Sequence, residues 1–125
     1  MNSQLYEDIL QIKEQLEGLR IQFVQSEKPA EKKDRALFER VKLETAPLFT
    51  LNDRWASQAE QYLKDHPGQS VHPLQLKNTK ENIELVILHS YYIDVPKKRF
   101  MELYNSIHYV LDQLVEGLQK KSTDE

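Results

Sequence analysis

Leu5, Ile9, Ile12, Leu16, Leu19 and Phe23 recur at steps of three and four, and this spacing limits the fold more than any motif does. Side chains so spaced stack on one face of an α-helix, whereas a half-buried strand needs strict alternation. The same period returns three times. Phe38, Val41, Leu48, Leu51, Trp55 and Tyr62 share one long register, and Leu76, Ile83, Val86, Ile87 and Ser90 form a third stripe. Phe100, Leu103, Ile107, Leu111, Leu114 and Leu118 form the fourth, and no segment alternates with period two. Amphipathic helices joined by short connections become antiparallel neighbours. The expected fold is therefore all-α, an antiparallel up-and-down four-helix bundle that makes residues 1–125 a single domain.

Breaker residues place the helices at about 3–25, 34–65, 73–92 and 96–120. Ser3 suits an N-cap, with Glu7 and Asp8 near the positive end of the first helix dipole. Residues 26–33 are a polar connection, and Asp34 is placed to cap the second helix. The His66-Pro67-Gly68-Gln69-Ser70 run is the clearest break, and Pro73 suits the first turn of the third helix. Asp94-Val95-Pro96 closes that helix and opens the fourth. Lys120 and Lys121 suit its negative end, and Ser122 to Glu125 should fray. Pro47 lacks an amide proton and crowds the carbonyl of Leu43, so the second helix either kinks or splits there. Leu48 and Leu51 continue the stripe in phase, which favours one helix kinked near Pro47.

Apolar residues make up 39% of the chain and charged residues 30%, a balance that supports a core of its own at this length. The absence of cysteine excludes disulfides, thiolate metal sites and thiol nucleophiles. The three glycines form neither GxGxxG nor a Walker loop. His66, His72, His89 and His108 form no HExxH pair, and Val86 and Asn105 stand where a Glu-x-x-His metal site needs glutamate. They read as ordinary loop or partly buried histidines, and no metal or cofactor is expected. No serine sits in a Gly-x-Ser-x-Gly elbow, and Ser106 and His108 point in different directions on a helix. The reading therefore leans away from an enzyme.

Seventeen basic residues against twenty acidic ones give a net charge of -3, which argues against a nucleic-acid partner. The longest aliphatic run, Leu85-Val86-Ile87-Leu88, falls well short of the roughly 18 residues that cross a bilayer. The first residues lack a basic segment followed by an apolar one. A cytoplasmic protein without a membrane partner is expected, as a monomer or a homodimer.

One cluster breaks a local rule. Lys97, Lys98 and Arg99 follow Pro96 at a helix start, where the dipole is already positive. Basic side chains beside free amides suit phosphate, carboxylate or an acidic partner segment. The plainer reading is a solvated cluster offset by Asp94 and by Glu102, four residues past Lys98. Asn78 and Asn82 share one face of the third helix, either as a buried polar link between helices or as hydrogen-bonding groups for a partner. Tyr91, Tyr92, Tyr104 and Tyr109 read first as residues of a bundle seam, and second as a docking stripe.

His72-Pro73, Leu76, Thr79 and Glu81-Asn82-Ile83-Glu84, followed by Lys97-Lys98-Arg99-Phe100, Tyr104, Ser106 and Tyr109, resemble the YppE-like family. Its members are small uncharacterised proteins of low-GC Gram-positive bacteria. The likeness covers about residues 71–114 and implies a four-helix up-and-down bundle; it implies no activity. Two functions from different classes follow. The first is a cytoplasmic protein-interaction module that docks a partner through the third and fourth helices. The second is an anion-binding or enzymatic site inside the bundle, with Arg20, Arg40, Arg54 and Arg99 projecting between helices.

Overall fold

The computed structural model describes residues 3–25, 35–91 and 95–124. They form α1 (Ser3–Gln25), α2 (Arg35–Asp65), α3 (Pro73–Tyr91) and α4 (Lys97–Asp124), with no strand among the described residues. α1 packs on all three other helices and α3 does the same, while the α2 and α4 backbones do not approach each other among the described residues. The bundle is thus a flattened rhombus with α1 and α3 across its short diagonal. Long-range contacts fix the antiparallel order. Asp8 near the start of α1 meets Arg54 of α2, and Tyr6 meets Gln119 late in α4. At the opposite, upper end, Phe23 stacks on Phe100 with ring centroids 4.0 Å apart.

The stripes read from the sequence supply the core. Leu5, Ile9, Leu16, Trp55, Tyr62, Ile83, Ile87, Phe100, Ile107, Leu111 and Leu114 are buried. Each fully buried aliphatic or aromatic side chain contributes about 1.5–3 kcal/mol. Phe38 is the exception. It was expected in the second stripe, yet it is 48% exposed, with Lys42 Nζ 5.4 Å from its ring centroid. Its turn precedes the part of α2 that faces the core.

α2 runs unbroken through Pro47, so the chain does not split there. Pro47 and Leu43 both lie on the exposed side of the helix. The carbonyl that loses its amide partner there is open to hydration, so the proline is tolerated where a buried one would not be. α3 opens on Pro73 as read. The His72 carbonyl accepts the Leu76 amide at 3.0 Å, and Gln75 Oε1 accepts the His72 amide at 3.3 Å, which is one half of a capping box. Two local expectations change. α4 is helical to Asp124, beyond its expected end at about residue 120. Asp8, expected to serve the α1 dipole, turns inward and is 1% exposed. The caps and connections assigned to residues 26–34 and to Asp94 lie outside the described residues.

Candidate functional site

Lys97, Lys98 and Arg99 occupy the first turn of α4, and all three are exposed. The first helical hydrogen bond there runs from the Phe100 amide to the Pro96 carbonyl at 3.1 Å, so the three preceding amides have no partner within the helix. Glu102 lies 4.0 Å from Arg99 Nη1, at the limit of an ion pair, and is not paired with Lys98 as the i, i+4 spacing suggested. Lys97 and Lys98 make no ion pair among the described residues.

The asparagines do not join this cluster. Asn78 lies more than three turns before Tyr91, about 20 Å along α3, so it sits toward the lower end while Lys97 sits at the upper. Asn78 is exposed and Asn82 half-buried, so they do not form the buried link between helices. Asn52 does. Its Nδ2 donates to the Lys80 carbonyl at 3.1 Å, and its Oδ1 accepts the Trp55 indole N–H at 2.7 Å.

Beneath the α4 start, a charged seam ties α4 to α1. The Tyr104 hydroxyl donates to Glu17 Oε2 at 2.6 Å, and Arg20 donates to both Glu17 oxygens at 3.1 and 2.5 Å. The Tyr104 ring lies 4.4 Å from the His108 ring between centroids, and Lys13 pairs with Asp112 nearby. Hydrogen bonds from Arg20, then from Tyr104, hold the Glu17 carboxyl down to about 2. Burial, then the bond to Glu17, pushes Tyr104 up to about 12. Burial, then Lys13, lowers His108, whose Nε2 is buried with no hydrogen-bond partner among the described residues. General acid–base catalysis needs groups that titrate near the working pH. Here each shift strengthens the charge state the group already has at neutral pH. The cluster acts as a clasp, which is the seam role expected of Tyr104. Tyr109 differs, being 63% exposed with its hydroxyl accepting from Gln113 at 3.3 Å. Tyr92 lies outside the described residues.

The four arginines do not project into an interior site. Arg20 pairs with Glu17, Arg40 with Glu44 at 3.9 Å, Arg54 with Asp8 at 2.9 Å and Arg99 with Glu102, all with substantially exposed guanidinium arms. Asp8 is the unforeseen member. It accepts from Arg54 Nε and Nη2 at 2.9 and 3.0 Å, from Gln58 at 2.6 Å and from Gln4 at 2.9 Å. Burial pushes its pKa up, but the bonds from Arg54, Gln58 and Gln4 outweigh that and hold it below the ordinary value. A signal was present in the sequence, since Asp8 and Asn52 fall in phase with apolar stripes where a charge or amide must find a partner. Among the described residues no group of three His, Asp or Glu side chains is placed to hold a metal ion. No helix of the described residues is long and apolar enough to cross a membrane.

Residues 8–118 match DUF1798, a bacterial domain of unknown function. The chain is 28% identical over 86 residues to the uncharacterized protein YppE of Bacillus subtilis (strain 168), covering 69% of this chain and 70% of that one. The crystal structure of YppE from Bacillus subtilis superposes with a TM-score of 0.85 at 24% identity, covering 98% of each chain. Its solution NMR structure gives a TM-score of 0.78 at 22% identity over 97% of each. At these identities the structural likeness establishes the fold and carries no activity with it.

Proposed function

We propose, for a chain that belongs to the DUF1798 family of bacterial domains of unknown function, the role of a cytoplasmic protein-interaction module without catalysis. The partner it suits is a protein presenting an acidic segment to the start of α4, flanked by the outer face of α3. One observation supports this above the rest. The charged groups at the helix seams have near partners, whereas Lys97 and Lys98 are exposed, carry no ion pair among the described residues, and stand where the helix dipole disfavours them. Exposed charges of this kind steer association and set its salt dependence more than they add affinity.

The test is the triple variant Lys97→Glu, Lys98→Glu, Arg99→Glu. Acidic side chains suit a helix start, so the variant should be as stable as the wild type or more stable, by up to about 1 kcal/mol. Affinity purification from the native host with quantitative mass spectrometry should recover a partner with the wild type and lose it with the variant. Equal recovery by both returns the cluster to solvent, and no partner with either contradicts the interaction role.

A further inference from the structure

We propose that the hollow between α1 and α2 beside Pro47 binds a neutral, multiply hydroxylated small molecule of monosaccharide size. The hollow measures about 240 Å³ and is walled by Gln11, Gln15 and Gln22 of α1 and by Glu44 and Pro47 of α2, with Tyr91 of α3 closing one side. It lies away from the α4 surface, so this inference and the interaction role stand or fall separately.

Two residues that weaken helices converge on this place. Pro47 forms part of one wall and Gly18 of the other. A glycine in an exposed helix interior lowers helix stability relative to alanine and needs a reason. Gly117 of α4 has one, because a Cβ there would meet Gln69 Oε1 at 2.8 Å. Gly18 has none from packing, since nothing lies within 4 Å of where its Cβ would be. What its missing side chain does is keep the hollow open. Natural chains depart from local helix rules most often where function requires it.

The lining sets the ligand chemistry. Gln11, Gln15 and Gln22 make no side-chain hydrogen bond to other described residues, so three primary amides are free to bond a ligand. Each offers a carbonyl acceptor beside N–H donors, which is the pairing that adjacent hydroxyls, each donor and acceptor, satisfy. Gln11 and Gln15 are one turn apart, about 6 Å, so one small molecule reaches both. No lysine or arginine lines the hollow, which disfavours an anion. Glu44 is its one acidic side chain, already facing Arg40 at 3.9 Å and the Tyr91 hydroxyl, so no cation is required. Leu19, Leu48 and Leu51 form an apolar floor for the C–H face of a sugar ring.

The full-length, ¹⁵N-labelled protein is titrated with D-glucose, D-ribose and myo-inositol, with inorganic phosphate and spermidine as charged comparators. At least one of the three polyols should cause saturable shifts confined to the amides of residues 11–22 and 44–51, with a Kd on the order of 1 mM. Gly18→Leu fills the hollow and should weaken binding at least about tenfold. Gln15→Ala leaves packing untouched and should weaken it about threefold, so loss of fold in the first variant does not obscure the result. Absence of saturable shifts with all three polyols, shifts elsewhere on the bundle, saturation only by phosphate or spermidine, or unchanged binding in Gln15→Ala would each overturn the proposal.

Discussion

The seam between α1 and α2 is built in two ways on either side of Pro47. Toward the lower end, Asp8 is buried and takes hydrogen bonds from Arg54, Gln58 and Gln4, while Asn52 holds Trp55 and reaches α3. Around Pro47 and toward the upper end, the same helices present Gln11, Gln15, Gly18 and Gln22 to Glu44, Pro47 and Leu48 across an open hollow floored by Leu51. Burial follows the same division. Leu51, Asn52, Trp55, Ala56, Ala59 and Tyr62 are buried past the proline, whereas Val41 and Thr45 are the buried residues described before it. One helix thus serves as a core element over its second half and as a wall of a surface cleft over its first. The proline in between is compatible with both, because it lies on the solvent side.

The strongest way to break this contrast is to remove the closed half. Arg54→Ala leaves the buried Asp8 carboxylate with only the Gln58 and Gln4 amides as partners and should cost about 3 kcal/mol, read by urea denaturation. The half-exposed Arg54 keeps the figure at the lower end of what breaking a buried pair does. Asn52→Ala, which strips the Trp55 indole N–H of its acceptor inside the core, should cost about 2 kcal/mol.

Acid acts on both lowered carboxylates with the same sign. Asp8 has a folded pKa below its ordinary 3.8, so its contribution is present above that pH and is lost as the pH falls through the lower value. Glu17 behaves likewise over the window from 4.5 down to about 2, and Glu17→Gln should flatten the stability–pH curve there. His108, also lowered, contributes above its ordinary 6.5 and loses that contribution as the pH falls through its folded value. Tyr104 runs the opposite way, with stability falling as the pH rises from 10.0 to about 12.

The open half predicts small effects. Gly18→Ala should raise stability by about 0.5–1 kcal/mol, since a methyl group meets nothing there. Gln15→Ala should change it by less than about 0.5 kcal/mol. A large loss from either would mean that the upper seam is packed after all.

How much of this was legible follows from which interactions are local. The helix period and the proline and glycine breaks determine the bundle, and the buried faces of α1, α3 and α4 appear where the spacing puts them. Phe38 was misplaced because periodicity says which residues share a face; it does not say where along a long helix the core ends. Asp8 and Arg54 pair across 46 residues, and no i, i+4 rule reports such a pair. The Lys97–Arg99 cluster was visible as a clash with the helix dipole, whereas its separation from Asn78 depends on antiparallel packing. The hollow had two traces in the sequence, Gly18 and Pro47, but only the fold sets them facing each other.

Native-state hydrogen exchange of the α2 amides tests the contrast across Pro47 most directly. Opening energies follow local burial, so amides at 51–63 should exchange only through global unfolding. Those at 36–46 should open at a free energy at least about 2 kcal/mol lower, with little change in Asp8→Asn. Uniform protection along α2, equal on both sides of the proline, would contradict the division of the α1–α2 seam into a closed part that holds the fold and an open part beside Pro47.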